Sequence, residues 1–561
     1  MREPTSHRLG YRTQIERRKS DMKTLPFSLC TSIALLGSIA CGNSNPPGSS
    51  AVTPSAAAGQ TPSATGGTGN TGPIFVSGGT GSLIVPDNVG GSSSSGPDAC
   101  TPGNTTTISG IVYDPAGKNP LYNISVFVLD PSSPLPDLQK VPVSCGCSQL
   151  LPAKVAAIGA PTDAAGHFEI PCAPSGNVTL VVQTGKWRRI YENVNVVANQ
   201  ANVIPNLRLP ANSSEGSLPN IAISTGGSDS FECLPLRIGV SESEYVAGSA
   251  TGGHIHIYTG LRGAKPAQGA VDSYSSLWDS QEHLNEHDVV ILSCEGEETK
   301  NGAAASSGFG MQAPPLTPAV QQYLMNYANA GGRVFASHYQ YAWFSSGPFN
   351  TGANKLATWS PGIGTIGMNG DDAAFPAEIN TTLSTGAAFP GGSALAKWLG
   401  VVNALDSSNQ LQVRYVRNNV KALAQPPSTE WIHLAPSVTA APSASQYFSA
   451  DTPIGTDKVC GRVVYSALHV SGGPGKSDSG KPEDADYPTG AGGATGAGGA
   501  GTGGRTGGGG PVVGGMTQGG TVPSGCAKRA LTPQELALEF MFFDLSSCLV
   551  PVGEEPPVIP K

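Results

Sequence analysis

The chain has 561 residues, of which 74 are glycine and 47 are proline, so much of its length is not packed core. Its formal net charge is −8 and only 13% of its residues are charged. That balance excludes the strongly basic surface that nucleic-acid binding requires and the polybasic patch that binds anionic lipid. The length and the low-complexity stretches together leave room for about two folded units.

The first predicted element is an export signal in residues 1–41. A basic start at Lys23 leads into an apolar run from Leu25 to Ala40, which is followed by Cys41. The run is too short, and wrongly flanked, for a membrane-spanning helix. Residues 1–21 fit poorly in front of such a signal, so we expect translation to start at Met22.

This pattern resembles a bacterial lipoprotein signal, which implies that Cys41 becomes the lipidated first residue of the mature protein. Ser38 departs from that family, which prefers a larger aliphatic residue at this position. The resemblance implies a lipoprotein of the cell envelope, anchored in the outer membrane and either periplasmic or surface-exposed. The alternative is ordinary cleavage after Ala40 without a lipid, which implies a secreted protein.

Two stretches have a composition that does not favour a packed core. Residues 42–103 are rich in Gly, Ser, Thr, Pro and Ala, and we expect a disordered tether between membrane and folded body. Residues 472–525 are Gly-rich and are predicted to be a disordered surface insert. Residues 551–561 form a short tail.

The cysteine count indicates an oxidising compartment. Of 11 cysteines, nine remain once Cys30 leaves with the signal and Cys41 is set aside. In an exported chain these are expected to form disulfides, with one left over. Cys294, at the end of an apolar strand, is the candidate for the unpaired thiol.

Two pairs of cysteines suggest specific arrangements. The close spacing of Cys145 and Cys147 suggests a metal site. No histidine lies near them in the sequence with ligand spacing, so disulfides are favoured. Cys460 and Cys526 flank the Gly-rich insert and can bridge its base. Their spacing along the chain leaves the connectivity open.

Residues 104–211 alternate apolar and polar side chains, with turn residues between the runs. Clear strands are predicted over 108–114 and 124–128. Farther on, Asp163 can cap a tight turn and Gly166 can take the positive φ that returns the chain as a hairpin. These units resemble the carboxypeptidase regulatory-like domain, which implies a small prealbumin-like β-sandwich that is generally non-catalytic.

Residues 218–550 alternate strands with helices. Helices are predicted after the N-cap and proline at 317–318 and after the capping box at 532–535. A helix is also expected to open near Ser228 or Asp229. The predicted strands cover residues 220–224, 288–293, 333–337 and 461–466. Such alternation predicts an α/β open parallel sheet with helices on both faces.

Parts of this region resemble the class I glutamine amidotransferase-like fold, particularly its ThuA-like branch. The resemblance is carried by 288–296, 327–338, 461–469 and the last helix, and it implies a flavodoxin-like sheet. In that family a nucleophilic cysteine stands at a sharp elbow after the strand that ends near Ser337. This chain has Ser337, His338 and Tyr339 there, so thiol-dependent glutamine hydrolysis is not expected. His469 falls near the family's catalytic histidine, without the Pro-Glu that follows it.

Ligands of open α/β sheets bind outside the carboxyl ends of the strands. At those ends, Glu295, His338 and His469 can act as base and acid or bind a metal. A Ser337–His469 dyad is a further catalytic option, because a hydroxyl needs an adjacent base to become nucleophilic. The alternative is that both histidines are hydrogen-bonded residues of a degenerate crevice. No cofactor is expected, and no residue is assigned to a resident metal.

A binding surface is predicted at the same edge of the sheet. Backbone N–H groups of the loop after the first strand can hold an anionic group or a sugar hydroxyl. Aromatic side chains after the elbow can stack on a sugar ring, or alternatively pack in the core. The residues concerned are Thr225, Gly226, Gly227, Asp229, Tyr339 and Trp343.

The leading hypothesis is an exported envelope lipoprotein, non-catalytic or weakly catalytic, that binds carbohydrate or another surface ligand. One alternative is a hydrolase or sugar-modifying enzyme that uses Glu295, His338 and His469. Another is a purely structural envelope protein. The expected partners are the membrane, through lipid on Cys41, and the surface ligand, whereas nucleic acid is not expected. The sequence indicates no oligomeric state.

Overall fold

The structure is a computed structural model that describes residues 103–260, 272–296, 316–362, 373–470 and 528–559, with 263, 298, 364, 366, 522, 523 and 526. These residues all belong to one compact unit, Leu83–Lys561. The predicted export signal, Cys41, almost all of the tether and almost all of the Gly-rich insert lie outside the described residues. No helix in the described ranges has the length and apolar character that crossing a bilayer requires.

The first part of the described chain is a β-sandwich. Its strands are β1 (Thr107–Tyr113), β2 (Ser125–Leu129), β3 (Val155–Ile158), β4 (His167–Ile170), β5 (Gly176–Thr184), β6 (Trp187–Val196), β7 (Ala201–Arg208) and β8 (Gly216–Ser217). One sheet has the order β4-β1-β7 and the other the order β3-β2-β5-β6-β8. Ile108 and Val112 of the first sheet and Val126 and Leu180 of the second are buried in one core. The predicted alternation therefore produces the inner faces of a sandwich.

The turn before β4 forms as the sequence predicts. Asp163 Oδ1 accepts hydrogen bonds from the backbone N–H groups of Ala165, at 2.8 Å, and His167, at 2.9 Å. Gly166 has a φ of 75°, in the left-handed region that glycine adopts without steric cost. One carboxylate and one glycine thus reverse the chain.

The second part combines strands and helices. Its strands are β9 (Ile221–Ser224), β10 (Tyr245–Ala247), β11 (Ile255–Tyr258), β12 (Val289–Leu292), β13 (Arg333–Ser337), β14 (Ala357–Trp359), β15 (Phe375–Ile379), β16 (Leu411–Val413), β17 (Val420–Leu423), β18 (Ser428–Leu434), β19 (Ser445–Thr452) and β20 (Gly461–Ser466). Its helices are α1 (Leu234–Arg237), α2 (Ser275–Trp278), α3 (Gln281–Asn285), α4 (Pro318–Ala330), α5 (Pro390–Val401) and α6 (Pro533–Ser546). Short 3₁₀ turns connect several of them.

The main sheet is mixed rather than wholly parallel. Its order is β10-β11-β9-β12-β13-β20-β19-β18-β15-β16. The six strands from β10 to β20 run parallel, and the last four continue the sheet in antiparallel fashion. The predicted parallel sheet is therefore only one side of a larger sheet. The antiparallel side is formed by β15, β16, β18 and β19, in a region where no strand was predicted.

Helix ends follow the predicted capping residues. Thr317 Oγ1 accepts from the Val320 N–H at 3.3 Å at the start of α4, and Gly331 ends that helix with a φ of 122°. Thr532 and Glu535 form the predicted capping box of α6. The helix expected to open near Ser228 or Asp229 begins later, because a 3₁₀ turn at Phe231–Cys233 precedes the four-residue α1.

Both faces of the parallel strands are covered. Successive side chains of a strand point to opposite faces, so Ala222 and Val290 join the core beneath α4. Ile223 and Ile291 face the other way and join a core that includes Phe540 of α6 and the interior of the sandwich. The sandwich and the mixed sheet therefore share one continuous apolar interior, with α6 in it.

Disulfides link distant parts of the chain. The bonds are Cys145–Cys460, Cys147–Cys548 and Cys233–Cys526, and Cys172 is also disulfide-bonded. The expected bridge between Cys460 and Cys526 is wrong, because each of them pairs elsewhere. Cys294 is a buried free cysteine, as predicted.

Candidate functional site

Three adjacent parallel strands bring a thiol and two imidazoles together at their carboxyl ends. Cys294 follows β12, His338 follows β13 and His469 follows β20. One ligand atom from each, the Cys294 sulfur and a ring nitrogen of either histidine, lies within 4.8 Å of the other two. All three side chains are buried. These three residues are called the strand-end cluster below.

His338 stands at a strained elbow between β13 and a 3₁₀ turn. Its φ of 38° is unusual for a residue with a side chain, and such strain concentrates at functional sites. The turn directs the imidazole towards the neighbouring strand end, where its Nδ1 lies 3.2 Å from Cys294 Sγ. The same ring lies 5.3 Å from the His469 ring, centroid to centroid.

The segment that carries His469 is fixed from two directions. Gln534 Nε2 of α6 donates to the backbone oxygen of His469 at 2.5 Å. The next residue, Val470, donates its N–H to Asp229 Oδ1 at 2.9 Å. The imidazole itself is buried, and its Nδ1 has no hydrogen-bond partner.

Burial keeps the Cys294 thiol and the His469 imidazole neutral. It lowers the pKa of His469 well below its usual value, and the nearby His338 and Arg417 lower it further. Burial also raises the pKa of the Cys294 thiol to about 12, although backbone hydrogen bonds to the sulfur oppose that shift. A neutral imidazole keeps a lone pair available, whereas a buried protonated thiol is a poor nucleophile.

Ser337 is engaged by a carboxyl group rather than by a histidine. Its hydroxyl donates to Asp229 Oδ2 at 2.5 Å. Burial raises the pKa of Asp229 to about 7, even though this hydrogen bond and the one from Val470 act to lower it. The Ser337 proton therefore points to Asp229, and the structure does not form the predicted Ser337–His469 dyad.

Glu295 is the predicted residue that the structure does not bring into the cluster. It follows Cys294 directly in the loop after β12, and its side chain is also buried. Its Oε1 lies beside Gly260, where an added Cβ would come within 2.9 Å of that oxygen. Within the described ranges, the group around His338 and His469 is completed by Cys294 instead.

The predicted binding loop is tightly packed beneath the cluster. A Cβ on Gly226 would lie 2.1 Å from the backbone oxygen of Cys294, and Ser228 donates its N–H to that oxygen at 3.0 Å. Thr225 Oγ1 accepts from the Gly260 N–H at 3.2 Å. With only a short α1 after it, the loop from Thr225 through Gly227 to Asp229 positions Cys294 and Ser337 and offers no helix N-terminus.

The two predicted aromatic ligands differ in exposure. Trp343 is buried, its ring is 5.1 Å from that of Trp278, and its Nε1 donates to Gln340 Oε1. It is core packing, so a sugar ring cannot reach it. Tyr339 is half-buried and its ring lies 4.2 Å from that of His338. Tyr339 is therefore partly exposed to solvent at this edge.

Sequence reasoning missed the role of Cys294 in the cluster. The signal was present, since Cys294 ends an apolar strand at the same edge as His338 and His469. Arg417, which acts electrostatically on Cys294 and His469, lies outside every predicted strand and carried no signal.

A cavity of about 410 Å³ lies elsewhere, between the sandwich and the C-terminal segment. Gln183, Lys458 and Glu554 are among its lining residues. No predicted site residue lines it, so its size does not bear on the strand-end cluster.

Comparisons with known proteins give no family. No protein-family model matches the chain, and no curated protein matches it. Among solved structures, two chains from mutant type II cohesin–X-dockerin complexes of Acetivibrio cellulolyticus are similar at 14% and 15% identity. The two matches cover 22% and 27% of this chain and 76% and 88% of the matched chains, and each has a TM-score of 0.14. Similarity at that level carries no inference about fold or function.

Proposed function

We propose that this protein is an exported cell-envelope lipoprotein whose α/β part binds carbohydrate or another surface ligand without efficient catalysis. The observation that carries the proposal is the elbow after β13. His338 occupies the strained position where an amidotransferase-like domain would carry its nucleophile, and the Ser337 hydroxyl donates to Asp229. The strand ends thus carry polar side chains in that position without an activated nucleophile.

Strand order supports an amidotransferase-like, flavodoxin-like assignment for the α/β part. The parallel strands β11-β9-β12-β13-β20 correspond to the order 2-1-3-4-5 when they are numbered along the chain without β10. The small sandwich before it is consistent with a prealbumin-like module. The disulfides support export, because such bonds persist in oxidising compartments.

Lipidation is tested on Cys41. Cells expressing the full chain are labelled with a fatty-acid analogue, and the mature N-terminus is identified by mass spectrometry. We expect a lipidated Cys41 in the wild type and no label in Cys41→Ala. A mature protein that begins at an unmodified Cys41 would instead establish a secreted form.

Ligand binding is tested on Tyr339, the aromatic side chain with solvent access at the strand ends. Tyr339→Ala is compared with wild type on an array of bacterial and plant glycans. Tyr191→Ala, which removes a half-buried tyrosine from the sandwich, is the matched control. Binding that falls at least about tenfold in Tyr339→Ala alone supports the proposal, since even a flat nucleic-acid base gains about 1–3 kcal/mol by stacking on an aromatic side chain. Absence of binding to any glycan or envelope polymer refutes the carbohydrate assignment.

A hydrolase is the second candidate, because Cys294 Sγ lies 3.2 Å from His338 Nδ1 in a thiol–imidazole pair. Such a pair can generate a nucleophile when the thiol is accessible. Turnover of an ester or amide panel that disappears in Cys294→Ala would favour this enzyme over a binding protein. We expect no turnover and no alkylation of folded Cys294, since its thiol is buried.

A further inference from the structure

We propose that Cys294, His338 and His469 form a binding site for a borderline-soft divalent cation of the Zn²⁺ class. Zinc sites that keep one coordination position open for water or a ligand typically have three protein ligands, and thiolate and imidazole groups are among the types they use. This site is separate from the glycan-binding proposal and needs no sugar.

The distances suit such an ion. Ligand atoms around a tetrahedral Zn²⁺, with bonds of about 2.0–2.3 Å, lie roughly 3.3–3.8 Å apart. Cys294 Sγ and His338 Nδ1 are already 3.2 Å apart, and no pair in the cluster exceeds 4.8 Å. Side-chain rotations that move atoms by about 1 Å therefore suffice to enclose the ion.

A second observation is that the cluster and its surroundings contain unpaired buried polar atoms. His469 Nδ1 is a buried polar atom with no hydrogen-bond partner, and the Tyr465 hydroxyl, within electrostatic reach of Cys294, is a second. Leaving such a group unpaired in the interior lowers the stability of the folded state. A bound cation would use the nitrogen lone pair, which gives the unpaired atom a function.

The surrounding charges are compatible with one divalent ion. Asp229 lies within electrostatic reach of Cys294 and contributes a negative charge when ionised. Arg417 acts on both Cys294 and His469 and opposes a cation. Binding therefore requires the Cys294 sulfur as thiolate. The S–H proton leaves to solvent as the metal–sulfur bond forms, so one proton is released for each ion bound.

The test uses the full mature chain, stripped of metal with a chelator and titrated with Co²⁺ or Zn²⁺. Cobalt bound by a thiolate has an intense sulfur-to-metal charge-transfer band in the near ultraviolet. We expect this band to saturate at one Co²⁺ per chain, to disappear on adding Zn²⁺, and to be accompanied by release of one proton.

Two variants and one control identify the ligands. Cys294→Ser should abolish the band, and His469→Gln should weaken Co²⁺ affinity by more than about 100-fold, the upper end of what loss of an outer-shell partner causes. His287→Gln is the matched control, because His287 is also buried with an unpartnered Nδ1 but lies outside the cluster. It should bind Co²⁺ as the wild type does.

Each outcome decides the proposal. A wild-type protein that gives no charge-transfer band with excess Co²⁺ overturns it, whatever the variants do. A band that persists in Cys294→Ser, or that is lost equally in His287→Gln, also overturns it. Should Cys294→Ser fail to fold, anomalous scattering from wild-type crystals soaked in Zn²⁺ must place the ion among the three side chains. A peak elsewhere contradicts the assignment.

Discussion

Two regions of the molecule bury polar groups to similar depth but satisfy them differently. Beside the end of α6, Arg462 donates to Asp451 at 2.6 Å and to Asp544 at 3.0 Å, so a buried cation meets two carboxylates. The strand-end cluster contains no ion pair, because burial keeps the Cys294 thiol and the His469 imidazole neutral. In addition, His469 Nδ1 has no hydrogen-bond partner.

The aromatic packing of α6 adds to this difference. Trp187 of the sandwich packs edge-on against Phe542 and Phe543, with ring centroids 6.4 and 5.8 Å apart. Paired charges and close-packed rings stabilise the fold. The α6 region also holds unpaired buried atoms, Trp187 Nε1 and Glu539 Oε1, so the difference between the two regions lies in the ion pairs of Arg462. Substitutions around α6 should therefore lower stability strongly, and those in the cluster should alter ligand binding more than stability.

The largest effect is expected from Trp187→Ala. Trp187 is fully buried between the sandwich and α6, and removing it leaves a cavity that the surrounding structure can fill only in part. The free energy of unfolding should fall by about 3–5 kcal/mol. Urea unfolding under oxidising conditions measures it, with the exposed Val203→Ala as control. A loss below about 1 kcal/mol would mean that the shared core is not a stabilising interface.

Arg462→Met should have a slightly smaller effect. It leaves Asp451 and Asp544 without their cation, and breaking a buried pair in this way costs about 3–5 kcal/mol. Both carboxylates keep some solvent access, so a loss of about 3 kcal/mol is expected. The double variant Arg462→Met/Asp544→Leu should recover part of it, as measured by the same unfolding experiment. Equal stability of the single and double variants would argue against the pairing.

The carboxyl groups of Asp114 and Glu539 should make stability pH-dependent. Burial raises the pKa of Asp114 to about 6, although its hydrogen bond with Glu539 acts to lower that pKa. Burial and the nearby Asp114 raise the pKa of Glu539 well above its usual value, although Asn119 donates to Glu539 at 2.6 Å. The folded state then holds protons that the unfolded state has released. Stability therefore falls as pH rises from about 4 to 6 and beyond, by at most about 1.4 kcal/mol per pH unit for one proton.

Asp114→Asn tests this dependence, because its amide mimics the protonated acid and can donate to Glu539. Unfolding free energies measured from pH 4 to 7 should fall less steeply in this variant than in the wild type. Glu215→Gln is the control of opposite sign, since hydrogen bonds from Arg208 help to lower the Glu215 pKa. If the free energy of unfolding depended on pH equally in Asp114→Asn and in the wild type, the proton on Asp114 would not contribute to the pH dependence.

The smallest stability change is expected from His469→Leu. The Nδ1 of this buried imidazole has no partner, so exchanging the ring for an apolar side chain of similar size should shift the free energy of unfolding by no more than about 1 kcal/mol. Calorimetry of the metal-free protein measures this, with Trp187→Ala as the contrast. A loss as large as that of Trp187→Ala would assign His469 to the stabilising framework and remove the difference between the two regions.

The sequence by itself determined the local features. Asp163 and Gly166 specify a turn, and Thr532 with Glu535 specifies a helix start, because each acts on backbone groups a few residues away. Buried strands such as β12 follow from short apolar runs. An odd number of cysteines outside the predicted signal indicated one free thiol, and the position of Cys294 at the end of an apolar strand made it the candidate.

Only the tertiary structure decided which distant groups meet. It placed Cys294 rather than Glu295 beside His338 and His469, since the direction of a side chain after a strand depends on how the loop packs. It paired Cys460 with Cys145 and buried Trp343 in the core. Such choices depend on contacts between residues hundreds of positions apart, which leave no local pattern in the sequence.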